Sequence, residues 1–135
     1  MSKRSEVVKI FESAAREAGK LINKEFGKVT ESKVQSKDLG DFVTNTDLET
    51  ENILLNILKK HFPNSSYLTE ESDPFKGNDE TIVIDPIDGT SNFIHGIPSI
   101  GIVIARVHKD EITDGIIFNP VSDELFFATK DKGAW

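Results

Sequence analysis

Apolar and polar positions alternate along this chain with two different periods, and the change of period divides it. From about Ser5 to Phe26, the positions Val7, Ile10, Phe11, Ala14, Ala18, Leu21 and Ile22 recur at helical spacing, which predicts an amphipathic helix. Ser5 is suited to cap its start and Gly27 to stop it. Lys28 to Lys37 is polar throughout and is expected to be an exposed, mobile stretch. A second helix is signalled near Thr46. Thr46 and Glu49 stand at capping-box spacing, Leu54, Leu55, Leu58 and Phe62 continue an apolar face, and Pro63-Asn64-Ser65 ends it.

Beyond Ser65 the pattern is that of strands. Short apolar or alternating runs cover Ser66–Thr69, Thr81–Ile84, Ile100–Val107, Ile112–Phe118 and Glu124–Thr129. His108-Lys109-Asp110-Glu111 reads as a hairpin turn, and Gly133-Ala134-Trp135 as the start of a further element. Two helices followed by successive strands predict an α+β fold, with two N-terminal helices packed on a mostly antiparallel β-sheet. The expectation is a single domain over residues 1–135.

Composition narrows the function. A net charge of −7 argues against a nucleic-acid or anionic-membrane surface, both of which need clustered Lys and Arg. With no cysteine, thiolate catalysis and Cys-based zinc sites are excluded. No apolar run approaches membrane-spanning length and the N-terminus lacks a signal-type apolar core, so a soluble, cytoplasmic chain is expected.

The most informative stretch is Ile84-Asp85-Pro86-Ile87-Asp88-Gly89-Thr90-Ser91-Asn92-Phe93. It follows a β-branched run, sets two carboxylates three residues apart across a proline, and closes in a small-residue turn. Mg²⁺ takes oxygen ligands, commonly one or two carboxylates plus phosphate oxygens, and backbone N–H groups of a turn can meet an anion. Two further acidic clusters accompany it: Asp41-Phe42-Val43-Thr44-Asn45-Thr46-Asp47 and Thr69-Glu70-Glu71-Ser72. Taken singly, each has an ordinary structural explanation. Asp-Pro and Asp-Gly are turn dipeptides, Asp47 complements a helix dipole, and Glu70 and Glu71 suit a solvated acidic loop. His61, His95 and His108 show no metal spacing, and Lys37 beside Asp38 reads as surface charge.

Taken together and in this order, the three stretches resemble the motifs of the inositol monophosphatase family of Mg²⁺-dependent phosphatases, related to fructose-1,6-bisphosphatase. The resemblance runs from about Val7 to Trp135. It implies the N-terminal half of the family's α/β sandwich and Mg²⁺-dependent hydrolysis of a small phosphate monoester, foremost inositol 1-phosphate. It further implies that Glu70, Asp85 and the Ile87 carbonyl bind one Mg²⁺, and that Asp85 and Asp88 bind a second. Gly89 and Thr90 would take the substrate phosphate through backbone N–H groups, beside Glu70, Ile87 and Asp88. Thr90 with Asp47 would position and deprotonate the attacking water, which Glu70 would hold. Family chains continue through a second stretch of comparable length, which carries another metal-binding aspartate and most ring contacts. From this follow the expectations of self-association or of a separate C-terminal half as partner. A competing reading is a catalytically inactive half-domain or interaction module that keeps part of the metal site.

Overall fold

The computed structural model describes residues 4–28, 34–38, 41–70 and 79–135, with 34–38 and 41–44 described as backbone only. In chain order the elements are α1 (Glu6–Glu25), β1 (Val34–Asp38), β2 (Asp41–Thr44), α2 (Asn45–His61), β3 (Ser66–Thr69), β4 (Glu80–Asp88), α3 (Thr90–Ile94), β5 (Gly101–His108), β6 (Glu111–Asn119), β7 (Glu124–Thr129) and β8 (Gly133–Ala134). This is the expected α+β arrangement. Six strands form one sheet in the order β3-β4-β5-β6-β7-β8, with β3 parallel to β4 and the other neighbours antiparallel.

Ser5 caps α1 as expected, its Oγ accepting from the Val8 N–H at 3.1 Å. The helix ends against Phe26, and Gly27 follows at φ +76°. The buried stripe is Val8, Phe11, Ala14, Ala15, Ala18, Gly19 and Ile22, rotated slightly from the predicted one, with Val7 and Ile10 at its margin. Three expectations are corrected. The polar stretch before α2 contains strand β1, which pairs with β2 as a separate antiparallel hairpin. The second helix begins at Asn45, directly after β2, so Thr46 lies inside it rather than capping it. The small-residue turn after Asp88 is a short helix, α3. Glu71, Ser72 and the side chain of Lys37 lie outside the described residues.

Cross-strand registers define two unlike faces of the sheet. One carries Ile84, Ile104, Ile116 and Phe127 in a row, with Ile102, Phe118 and Leu125 in the next. The helices α1 and α2 pack on this face and form the core with it. Phe11 of α1 meets Phe62 edge-on, with ring centroids 6.0 Å apart. Asp114 is buried on the same face. It accepts from Ser5 Oγ at 2.8 Å and from Thr129 Oγ1 at 3.2 Å, and faces the Arg106 guanidinium at 3.0 Å. This ties the start of α1 to β5, β6 and β7.

The other face holds Val83, Val103, Ala105, Gly115, Ile117, Phe126 and Ala128. No described helix covers it, and Ile117 and Phe126 are each about half exposed (49% and 52%). With Trp135 they line an open apolar depression of about 760 Å³. No described helix is long and apolar enough to cross a membrane.

At Gly19, α1 packs closely on the end of β6 and the residue that follows it. A Cβ there would lie 2.9 Å from Pro120 Cβ and 3.1 Å from the Phe118 ring. Alanine improves helix propensity by about 1 kcal/mol, but overpacking between two elements costs roughly 1–3 kcal/mol. Gly19→Ala is therefore expected to lower the thermal midpoint, and Gly19→Val to lower it further, both read by calorimetry. A rise with alanine would show that α1 can lift off the sheet freely.

Candidate active site

Strand β4 delivers the two central acids through a bulge. Asp85 pairs with Val103 and Asp88 with Gly101, so three steps on β4 match two on β5. The extra residue falls at Pro86-Ile87, where a proline can enter a strand without breaking its ladder. Side chains alternate along a strand, so residues three apart would ordinarily face opposite ways. Here the bulge restores the phase, and Asp85 and Asp88 stand on one face. The burial along β4 records the slip: Ile82, Ile84 and Pro86 alternate as buried, then Ile87 is buried too and Asp88 is exposed. The face they share is the one that no described helix covers.

Gly89 follows with φ +89° and ψ +40°, a left-handed conformation that glycine adopts at little cost. It turns the chain into α3, whose only fully buried side chain is Phe93. Phe93 sits against Phe26 at the end of α1, with centroids 6.2 Å apart. The small helix is thus pinned to the core from below while Gly89 and Thr90 stay partly exposed.

Thr90 joins two of the three motifs. Its Oγ1 lies 2.9 Å from Asp47 Oδ2 and 3.1 Å from the Ile87 carbonyl. A hydroxyl has one hydrogen to give, and the carboxylate is the stronger acceptor. Asp47, in the first turn of α2, is 1% exposed. The two residues are 43 positions apart in the chain, and nothing in the sequence pattern pairs them.

Asp85 reports the remaining arrangement. Its carboxyl is pushed up to about 6, first by burial, then by the negative charges of Glu70 and Asp88, with a smaller contribution from Asp47. A hydrogen bond from the Ile87 N–H works in the opposite direction. Glu70, at the end of β3, and Asp88 are both exposed. The parallel pairing of Thr69 with Ile84 sets Glu70 beside Asp85 at the same end of the sheet. The predicted residues Asp47, Glu70, Asp85, Ile87, Asp88, Gly89 and Thr90 therefore collect at the ends of β3 and β4 and the starts of α2 and α3. Among the described residues, however, no three His, Cys, Asp or Glu side chains lie close enough to enclose a metal ion. Two residues that the motif reading left without a role also belong to the neighbourhood: Phe93, through its core anchor, and Asn92, whose Nδ2 donates to the Ser99 carbonyl at 2.8 Å.

The fold and these motifs are those of a known group of phosphatases: the chain belongs to the inositol monophosphatase family, which it matches over residues 3–135. It is 41% identical to the inositol-1-monophosphatase of Caulobacter vibrioides over 125 residues, covering 90% of this chain and 49% of that protein. It is 37% identical to the Nus factor SuhB of Escherichia coli strain K12 over 123 residues, 90% of this chain and 46% of that one. Among solved structures, the extragenic suppressor protein SuhB of Bartonella henselae superposes with a TM-score of 0.93 at 38% identity. That match covers 97% of this chain and 52% of the other. The Thermotoga maritima IMPase gives 0.90 at 30% identity, covering 97% and 51%. The chain thus spans about half the length of the relatives it matches.

Proposed function

We propose that this chain carries the metal- and phosphate-binding half of a Mg²⁺-dependent phosphomonoesterase, with inositol 1-phosphate as the foremost substrate. The observation that carries the reading is the Thr90–Asp47 hydrogen bond, set beside an acid whose neighbours are themselves acidic. The donors suit a hard divalent cation. Glu70, Asp85, Asp88 and the Ile87 carbonyl offer only oxygen, and burial together with the neighbouring negative charges raises the Asp85 carboxyl, a cost that a cation would offset. The chemistry that Mg²⁺ supplies when bound there is charge neutralisation and the acidification of water.

The chain's own residues do the rest. Asp85, Asp88, Glu70 and the Ile87 carbonyl hold cations. The Gly89–Thr90 backbone meets the phosphate, alongside Glu70, Ile87 and Asp88. Asp47 holds the Thr90 hydroxyl so that its lone pairs face the attacking water, and takes up the proton that the water loses through Thr90. Glu70 keeps that water in line with phosphorus. Positioning and charge neutralisation supply most of the rate in such transfers.

The face that no described helix covers bears on how the site is completed. Asp85 and Asp88 project from it, and it is apolar and open beside them. A covering layer on that face, contributed by a further stretch of chain like the rest of the relatives' length, would lie next to both acids and bury Ile117 and Phe126. Until covered, such a face favours self-association.

The test combines binding and turnover. Mg²⁺ at a hundredfold excess over its Kd is expected to stabilise the fold by about 2.7 kcal/mol, raising the midpoint by roughly 10 °C. Asp88→Asn should abolish most of that rise and all Mg²⁺-dependent phosphate release from inositol 1-phosphate. Release that survives the substitution would refute the site assignment. A second reading, a half-domain without catalysis, is favoured by the lack of a three-acid cluster among the described residues. It predicts no Mg²⁺-dependent phosphate release by the wild-type chain, whether or not the ion raises the midpoint.

A further inference from the structure

Residues 95–99, between α3 and β5, are all exposed, so apolar burial does not hold this loop in place. Hydrogen bonds do. Asn92 Nδ2 donates to the Ser99 carbonyl at 2.8 Å, and Asn119 Nδ2, from the end of β6, donates to the Pro98 carbonyl at 2.9 Å. Two asparagine amides from different elements thus grip successive carbonyls. The Ile97 N–H adds a bond to the Asn92 carbonyl at 2.8 Å. Asn119 is itself fixed, because its Oδ1 accepts from the Val121 and Ser122 N–H groups at 3.0 and 3.2 Å.

The gripped loop backs directly onto Gly89. A Cβ on Gly89 would lie 2.9 Å from the Ser99 carbonyl oxygen and 3.5 Å from Asn92 Nδ2. The left-handed turn that presents Gly89 and Thr90 therefore rests on a backbone carbonyl whose position two side chains set. Phe93 anchors α3 from the core side, and the loop supports the turn from the solvent side.

We propose that Asn92 and Asn119 are positioning residues for the phosphate-binding turn, acting through the 96–99 loop. The proposal rests on the reading of Gly89 and Thr90 as the phosphate-binding turn. Asn119 is the informative position, because its two functions separate. Asn119→Asp keeps the Oδ1 that holds Val121 and Ser122 but loses the donor to Pro98. Asn119→Ala loses both.

The experiment uses the whole chain with Mg²⁺ and inorganic phosphate, and reads two quantities. The first is amide hydrogen exchange, which needs no ligand. Asn119→Asp and Asn92→Ala are expected to speed exchange at residues 89–93 and 96–100, leaving α1 and the β5–β6 ladder unchanged. The second is the affinity for inorganic phosphate in the presence of Mg²⁺, by calorimetry. It should fall about tenfold in both variants, since small misplacements of a binding group carry such costs, with Mg²⁺ affinity unaltered. Unchanged exchange at 89–93 would overturn the clamp. Faster exchange with unchanged phosphate affinity would show the asparagines to be merely structural and also overturn the proposal. A wild-type chain that binds no phosphate would refute the functional reading and the positioning role with it, while the exchange measurement would still decide whether the clamp exists.

Discussion

Asp85→Asn is expected to make the metal-free chain more stable and the proposed phosphatase site inert. The carboxyl of Asp85 is raised from 3.8 to about 6. A group whose folded pKa exceeds its unfolded one favours folding while protonated. That stability is fully present below about pH 4 and is lost as pH rises through about 6. At neutral pH the ionised side chain therefore opposes folding, and asparagine removes the opposition. Asp85 is partly exposed, so solvent screens much of the effect, leaving roughly 1 kcal/mol. This corresponds to a rise of about 3–4 °C in the midpoint, measured in EDTA at pH 7.5. At pH 4 the difference should vanish. In Mg²⁺ the order reverses, because the wild-type chain gains from the ion and the variant does not. Phosphate release should fall by on the order of a thousandfold or more, since charge stabilisation is among the largest contributions to such rates. A variant that is no more stable in EDTA would mean that neither burial nor the charges of Glu70 and Asp88 disfavour the ionised Asp85.

The second large effect lies in the core. Phe11→Ala should cost about 3–5 kcal/mol and lower the midpoint by roughly 10–18 °C, because Phe11 is fully buried against Phe62 and its loss opens a cavity between the helices. Phe93→Ala should cost a similar amount, for Phe93 is equally buried. The two differ in what else they disturb. Phe11 is remote from the acids, whereas Phe93 is the core anchor of α3. At a temperature where both variants remain folded, Phe11→Ala should keep Mg²⁺-dependent phosphate binding and Phe93→Ala should lose it. Equal binding in the two would show that α3 holds its place without its anchor.

Much of this arrangement was legible in the residue pattern, for definite physical reasons. The twenty residues of α1 repeat their apolar face often enough to be read, and β5 to β7 carry compact apolar runs, Ile102-Val103-Ile104, Ile116-Ile117-Phe118 and Leu125-Phe126-Phe127, bounded by polar turns. β1 was not legible, because Val34-Gln35-Ser36-Lys37-Asp38 has no alternating apolar side to bury. At five residues, α3 is too short for periodicity to appear, and its start is set by the left-handed Gly89 instead. The strand reading of β4 stopped at Ile84, since Pro86 argues against a strand. The strand runs on to Asp88 because the bulge takes up the proline. In the site, the motifs named Asp47 and Thr90 separately; their direct contact depends on how α2 lies across β4. The role of Asn119 was invisible because it acts on a carbonyl 21 positions away in the chain.

The bulge in β4 also sets how this stretch can change length over generations. Substitutions at Pro86 or Ile87 alter packing at two buried positions and can be absorbed by neighbouring side chains. Losing either codon is a different event. With one residue fewer, Asp85 and Asp88 would fall two apart in a plain pleat, still opposite Val103 and Gly101, but the bulge would be gone and with it one of the two buried positions between the acids. The spacing between the two aspartates is thus inherited as a count, and it tolerates new letters more readily than a missing one.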